Sequence, residues 1–148
     1  MRLALAVLGR DALLGTLSES LYSIIAANEG RRLDEITYPP IPPETGVPYI
    51  ERVAVKPIRD GETLFKAGDR LGLYLQAFAY STHGRYQPRI FGVGSHVCLG
   101  KPFALDLWRG ITRALSEIEL YAEVVRHDMR KDEYVLLVPS HLDVRLHS

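Results

Sequence analysis

The residue with the most distinctive chemistry is the single cysteine, Cys98, in the segment RIFGVGSHVCLG (residues 89–100). Glycines surround it, and a helical pattern begins just after it. Backbone N–H groups in the first turn of a helix lack intrahelical partners and carry partial positive charge, so this position favours a thiolate. A thiolate is a soft ligand for iron. The segment therefore predicts an iron-binding sulfur in a loop whose glycines let a flat macrocycle approach the backbone.

Two predicted helices flank this loop in the sequence. The first has polar residues on one face, ends near Gly30, and repeats apolar residues at helical spacing: Leu13, Leu14, Leu17, Leu21, Ile24 and Ile25. The second begins near Pro102 and carries an apolar stripe that we expect to be core: Phe103, Leu107, Trp108, Ile111, Leu115 and Ile118. Trp108 is also a candidate neighbour of the bound macrocycle.

Strands and a proline-rich connector account for the rest of the chain. Five prolines in residues 38–48 exclude a helix there. Alternating apolar residues predict strands within 51–55 and 62–80, with a turn at 66–69, and two more at 133–138 and 140–148. The charged run RHDMRKDE (126–133) is typical of a solvated turn. The predicted elements follow in the order helix, strands, loop, helix and strands. This order indicates a single α+β domain over residues 1–148.

Composition excludes several classes of function. Eighteen basic and eighteen acidic residues leave no net charge to attract nucleic acid. A single cysteine forbids an internal disulfide and suits a reducing compartment, so we expect a cytoplasmic protein. The apolar run from Leu3 to Leu8 is too short for a signal peptide or a membrane span. His83, His127, His141 and His147 lack metal-ligand spacing, so we expect them at the surface.

The cysteine segment carries a family resemblance. FGVGSHVCLG (91–100) resembles the haem-binding loop of the cytochrome P450 family, F-x-x-G-x-x-x-C-x-G, and CLGKPFALDLWRGITRAL (98–115) resembles the helix that packs under the haem. LGRDALLGTLSESLYSIIAAN (8–28), IERVAV (50–55) and VPSHLDVRLHS (138–148) resemble the distal helix, a haem-contacting strand and the closing strand. The resemblance implies the C-terminal part of the P450 fold: distal-type helix, small β-sheet, cysteine loop, proximal helix and terminal β-hairpin.

The resemblance also implies a role for individual residues. Cys98 would be the axial iron ligand of haem b (iron protoporphyrin IX), in a cofactor loop formed by Phe91, Gly92, Gly94 and Gly100. His96 and Arg52 would pair with the haem propionates, and Asp11 would be the distal acid. The implied activity is that of a monooxygenase or peroxygenase, which inserts oxygen from O₂ or peroxide into a small organic substrate. Electrons for the O₂ reaction would come from a ferredoxin or a flavoprotein reductase.

The chain departs from the family in length and at the distal helix. Family members are more than twice as long, and the helices that precede the distal helix are missing. Ala12 occupies the position of the distal threonine, while Thr16 lies one turn further on. The loss of that hydroxyl gives weight to peroxide use. The alternatives are a non-catalytic haem-binding or interaction module, a subunit that needs self-association or another chain, and a gene fragment.

Overall fold

The computed structural model describes residues 2–75, 90–130 and 136–148, with the backbone alone for residues 2–8. Its two helices are α1 (Arg2–Ala27) and α2 (Lys101–Leu115), and its six strands are β1 (Tyr49–Val53), β2 (Ile58–Asp60), β3 (Thr63–Phe65), β4 (Arg70–Tyr74), β5 (Tyr121–Met129) and β6 (Pro139–His147). The predicted α+β order of elements is confirmed.

The connector after α1 packs along that helix. Gly30 adopts a positive φ of 79° in the turn that ends α1, as its position in the sequence predicted. The extended connector is then held by two buried α1 hydroxyls. Thr16 Oγ1 accepts a hydrogen bond from the Gly46 N–H at 2.9 Å, and Ser20 Oγ accepts one from the Glu44 N–H at 3.1 Å.

Glycines allow three backbone segments to approach closely at this point. A Cβ atom on Gly15 would lie 2.0 Å from the Leu137 carbonyl oxygen, and one on Gly46 would lie 2.7 Å from the Ala12 carbonyl oxygen. The Leu137 N–H in turn donates to the Gly46 carbonyl at 2.7 Å. Because these two positions lack side chains, α1, the connector and the segment before β6 can pack closely together.

The central strands form two small antiparallel pairs. β1 pairs with β4, with Arg52 opposite Leu71, and β2 pairs with β3 in a hairpin inserted between them. The predicted turn at 66–69 joins β3 to β4, and its Lys66 N–H donates to Asp69 Oδ2 at 2.7 Å. The turn separates β3 from β4 as predicted, and the part of the predicted strands beyond residue 75 lies outside the described residues.

The C-terminal hairpin corrects one strand prediction. β6 covers most of the predicted strand at 140–148, but its partner is β5, Tyr121–Met129, and not residues 133–138. Residues 136–138 are not in a strand, and 133–135 are not among the described residues. Residues 126–129 of the charged run, predicted as a solvated turn, are in β5. A register shift between Val124 and Arg126 interrupts the alternation of side chains that would have indicated this strand.

A core cluster lies between α1, α2 and the hairpin. Trp108 is fully buried, and its indole N–H donates to the Pro39 carbonyl at 2.8 Å. The other buried members are Leu17, Ile24, Ile25, Leu33, Ile36 and Ala122. Ile111, Leu115 and Ile118 pack against this cluster as predicted, but Phe103 and Leu107 are exposed. The prediction of a continuous core stripe is wrong for these two residues because α2 buries the neighbouring positions, Ala104 and Trp108, at these turns.

Candidate functional site

The cysteine loop is folded by its own backbone hydrogen bonds. The Cys98 N–H donates to the Phe91 carbonyl at 2.7 Å, which closes the loop. A single 3₁₀ turn, Gly94–His96, lies between them, and the Lys101 N–H donates to the Cys98 carbonyl at 3.1 Å as α2 begins. The sulfur is therefore presented by the backbone at the start of a helix, as the sequence predicted.

The glycines of the loop have different roles. Gly92 and Gly94 have positive φ angles of 69° and 59°, a conformation that other residues rarely adopt. At Gly92 a Cβ atom would also lie 2.4 Å from the His96 carbonyl oxygen. Gly100 has an ordinary φ and is the N-cap of α2; a Cβ atom there would lie 3.7 Å from Cys98 Sγ. Two glycines therefore shape the loop, and the third lies beside the sulfur.

A cavity of about 550 Å³ opens in front of Cys98. One face of α1 forms one side, the connector contributes two residues, and the cysteine loop with the start of α2 forms the other. The lining residues are Gly9, Arg10, Ala12, Leu13, Thr16, Thr45, Val47, Ile90, Phe91, Cys98, Leu99, Gly100, Phe103 and Ala104. Most are apolar or small, and the Cys98 thiol is free and exposed.

The predicted site residues are only partly brought together. Cys98, Phe91 and Gly100 line the cavity, and Gly92 and Gly94 shape the loop behind it. His96 and Arg52 are exposed and are not among the lining residues, and Arg52 Nη1 donates to the Glu51 carbonyl at 2.7 Å. Their roles as propionate partners stay predictions.

Asp11 also lies outside the cavity lining. Its side chain is 16% exposed, and its Oδ1 lies 3.3 Å from Arg10 Nε. Its role as a distal acid stays a prediction. Trp108, a candidate neighbour of the macrocycle, is buried in the core and does not line the cavity.

Thr16 lines the cavity with a hydroxyl that is already engaged. It donates to the Ala12 carbonyl at 2.8 Å and accepts from the Gly46 N–H at 2.9 Å. In this arrangement the hydroxyl anchors the connector to α1. Ala12 offers no hydroxyl, so the α1 wall of the cavity lacks a free side-chain O–H among the described residues.

The resemblance to the distal helix had pointed to Gly9, Ala12 and Thr16, and all three line the cavity. The sequence did not assign Leu13 to it, although Leu13 follows Gly9 at helical spacing. Arg10 also lines the cavity, although the sequence indicated only a charge that closes the apolar run from Leu3 to Leu8. Thr45 and Val47 could not be placed because the path of the connector depends on tertiary contacts.

The prediction that His127 lies on the surface is wrong, because the side chain is largely buried. Its side chain is 16% exposed, its Nε2 lies 2.8 Å from Glu19 Oε1, and its ring stacks on Tyr22 with centroids 3.8 Å apart. β5 carries this ring onto α1, beside a second groove of about 340 Å³. His141 and His147 are exposed as predicted, and His83 lies outside the described residues.

Comparison with solved structures identifies the fold. The cytochrome P450 enzyme CYP109B1 from Bacillus subtilis matches with a TM-score of 0.73 at 22% sequence identity, covering 95% of this chain and 44% of that one. This chain has the fold of the C-terminal part of a cytochrome P450. A thermophilic cytochrome P450 from Sulfolobus tokodaii matches with a TM-score of 0.57 at 19% identity, covering 92% of this chain and 41% of the other.

A third P450, CYP102L1, matches with a TM-score of 0.61 at 19% identity. It covers 97% of this chain and is itself covered over 44% of its length. The chain therefore spans less than half of these P450 structures. Neither a protein-family model nor a curated protein matches the sequence. Among the described residues, no helix is both long and apolar enough to cross a membrane.

The residues at the P450-like cavity fit a haem group. An exposed thiol is the only soft metal donor among the lining residues, and the walls around it are mainly apolar. Soft thiolates suit iron, and apolar cavities with a few polar groups are the usual sites of cofactors. Cys98 is exposed and lines the cavity, so its sulfur is accessible from it.

Proposed function

We propose that this chain binds haem b through Cys98 and acts as a haem-thiolate oxidoreductase of the cytochrome P450 type. The observation that carries the proposal is the exposed Cys98 thiol, which faces an apolar cavity between α1 and α2 in a P450 fold. Haem held by a thiolate supplies the ability to cleave an O–O bond and to insert oxygen into an organic substrate.

The residues of this chain would position the cofactor and the substrate. The Phe91 carbonyl and the glycine conformations hold Cys98, while Leu99, Gly100 and Phe103 supply the wall beside the sulfur. Gly9, Ala12 and Leu13 line the cavity from α1 and would form the side that an organic substrate approaches. His96 and Arg52 are proposed partners of the haem propionates, and Asp11 is the proposed distal acid.

Peroxide would serve as an oxidant at this site for two chemical reasons. O₂ activation needs protons delivered to the haem face, and the α1 wall carries Ala12 and an already hydrogen-bonded Thr16. Peroxide brings both oxygen atoms and both reducing electrons with it. With O₂, a ferredoxin or a flavoprotein reductase would supply electrons, and a reducing compartment such as the cytoplasm suits the exposed thiol.

The test is the spectrum of the haem-loaded chain. We expect the ferrous carbon monoxide complex to show the long-wavelength Soret band of thiolate-ligated haem, and Cys98→Ala to lose that band. Gly110→Ala, in α2 where the added Cβ meets nothing within 4 Å, is the control and should retain it. The assignment would be refuted if the wild-type chain bound no haem. It would also be refuted if the thiolate band persisted in Cys98→Ala.

A second candidate is a haem-binding unit without turnover of its own. It is favoured by the exposure of Leu99, at 87%, and Phe103, at 64%, beside the cavity. Another polypeptide or a second copy of this chain would cover such apolar side chains. Haem binding with no oxidised product, from peroxide or from reductase with O₂, would favour this candidate over the first.

A further inference from the structure

The β1–β4 pair leaves the outer edge of β4 open. Within the described part of the chain, no strand other than β1 pairs with β4. The Leu75 N–H donates to the Pro48 carbonyl at 2.9 Å, which fixes the residues that bond within the pair. Because residues of an antiparallel strand alternate between bonding to one neighbour and to the other, every second residue of β4 points its N–H and C=O groups outward. These residues are Arg70, Gly72 and Tyr74.

The side chains of β4 do little to protect this edge. Leu73 and Tyr74 are large apolar side chains, and both are exposed. The strand contains no proline, and its one charged residue, Arg70, already pairs with Glu51 at 2.6 Å. Prolines, bulges and unpaired charges are the devices that keep an open edge from pairing with another strand. A two-stranded ribbon is also only marginally stable by itself, so β4 is suited to accept a further strand.

The sequence of β4, RLGLY, is complementary to itself about Gly72. When two copies of β4 run antiparallel with Gly72 opposite Gly72, Arg70 lies opposite Tyr74 of the second copy, and Leu71 lies opposite Leu73. The three outward-pointing residues of each copy then face outward-pointing residues of the other. Each of them can donate its N–H and accept with its C=O across the new edge, so no backbone group at the contact lacks a partner.

The side chains match on both faces of such a sheet. On one face, Leu71 meets Leu73 of the second copy at a non-hydrogen-bonded position, where cross-strand side chains are closest. On the other face, the Arg70 guanidinium meets the ring of Tyr74, and aromatic faces attract cations. Arg70 and Glu51 neutralise each other within each copy, and the chain has no net charge, so the two copies do not repel each other.

We propose that the chain forms a homodimer in which the β4 edges of two copies pair antiparallel about Gly72, giving a continuous four-stranded sheet. An in-register parallel pairing would instead place Arg70 beside Arg70 of the second copy, and like charges directly opposite each other are destabilising. The interface goes beyond the proposed function, because it requires neither haem nor the cavity. It also differs from the exposed apolar residues beside Cys98.

The first test is sedimentation equilibrium of the full chain at micromolar concentration, without added haem. We expect the wild type to have twice the chain mass of 16.6 kDa and Gly72→Pro to have the single mass. Proline removes the central N–H of the contact, which points away from β1, so the β1–β4 ladder loses no bond. The control is Val53→Pro, which removes an outward N–H from the opposite edge, on β1, and should retain the dimer.

The second test is disulfide formation in a Cys98→Ala background, which removes the native thiol. Gly72→Cys should oxidise to a covalent dimer, because the proposed pairing places the two Cα atoms of residue 72 about 5.5 Å apart, within disulfide range. Glu62→Cys, in the exposed β2–β3 turn, is the control and should stay monomeric on a denaturing gel. This test still decides the matter if Gly72→Pro fails to fold.

The proposal would be overturned by a monomeric wild type, by a folded Gly72→Pro chain that keeps the dimer mass, or by the absence of a cross-link at residue 72. Loss of the dimer in Val53→Pro but not in Gly72→Pro would assign the contact to the β1 edge and would also overturn it. Failure of haem ligation by Cys98 has a different signature, because the carbon monoxide band would be missing while the masses remained as expected.

Discussion

At the scale of single residues, the backbone prepares Cys98 for its proposed role. The Phe91 carbonyl accepts a hydrogen bond from the Cys98 N–H, and two glycines with positive φ bend the chain between those residues. Among the described residues, the hydrogen bonds that fold this loop join backbone groups within residues 91–101. This local construction explains why a ten-residue segment could predict a loop that presents its sulfur at the start of a helix.

Arg10 shows what local sequence cannot supply. Nothing in GRDALLG distinguishes an arginine that lines a cavity from one on a solvated face, and the difference comes from where α1 packs. Asp11, one residue further on, matched a family motif yet lies outside the cavity lining. To predict which of these two residues lines the cavity, one must know where each side chain points, and this depends on the packing of the whole helix.

Glu44 provides a pH-dependent prediction at this scale. Burial, followed by the negative charge of Glu19, raises the pKa of the Glu44 carboxyl above its ordinary value of 4.5. The fold therefore favours the protonated form, and this contribution to stability is present below about pH 4.5 and is lost as the pH rises through the raised pKa. At neutral pH the ionised carboxylate is a small liability.

We expect Glu44→Gln to be more stable than the wild type at pH 7 by less than about 1 kcal/mol, and to lose that advantage near pH 4. Urea unfolding across this pH range measures the difference. Glu62→Gln, in the exposed β2–β3 turn, should show no such trend. An advantage that grows toward low pH would contradict the assigned cause.

At the scale of elements, the junction of α1, the connector and residue 137 positions the α1 wall of the cavity. Thr16 and Ser20 hold the connector through hydrogen bonds, and Gly15 and Gly46 permit the close approach. Two cavity-lining residues, Thr45 and Val47, flank Gly46. Disturbance of this junction should therefore affect both stability and the shape of the site.

Gly15→Ala tests this junction against Gly110→Ala in α2. The added Cβ at position 15 would overlap the Leu137 carbonyl, whereas at position 110 it meets nothing within 4 Å. We expect Gly15→Ala to destabilise the fold by about 1–3 kcal/mol or more, and Gly110→Ala to stabilise it by up to about 1 kcal/mol through helix propensity. Thermal unfolding compares the two, and equal effects would contradict the close packing.

The elements differed in how well the sequence could predict them. α2, β6 and the second half of α1 have regular apolar periods and were found close to their observed positions, whereas α1 begins at Arg2, well before the apolar repeat that starts at Leu13. β5 was missed because its register shift breaks the alternation and because Arg126, His127 and Asp128 resemble a solvated turn. Arg126 and Asp128 form an ion pair with each other, while His127 contacts Glu19 on α1, a partner 108 residues away in the sequence.

At the scale of the whole molecule, a single tryptophan joins the two helices and the connector. Trp108 belongs to the core cluster with Leu17 and Ile24 of α1, and its indole N–H donates to Pro39. The cavity in front of Cys98 lies beyond one end of this core. The relative position of α1 and α2, and so the width of the cavity, depends on this packing.

We expect Trp108→Ala to cost about 3–5 kcal/mol, because it leaves a void and removes the partner of the Pro39 carbonyl. Leu107→Ala, the neighbouring exposed position on α2, should cost about 1 kcal/mol or less. Chemical denaturation of both variants measures the difference. A similar loss for the two would show that the core does not depend on the indole ring.

The molecule also exposes apolar surface away from the core. Val55 is 90% exposed near the β1–β4 pair, and Leu99 and Phe103 are exposed at the cavity.

Because the chain spans less than half of the P450 structures that it matches, activity of the whole P450 type remains a proposal for it. Binding of haem at Cys98 is the part of that proposal that its own described residues support.

The most direct test is iron K-edge X-ray absorption of the haem-loaded chain. With Cys98 as the axial ligand, the wild type should show one sulfur scatterer in the first coordination shell of iron, and Cys98→Ser should show none. A wild-type spectrum with only nitrogen or oxygen ligands, or a sulfur scatterer that persists in Cys98→Ser, would contradict the account.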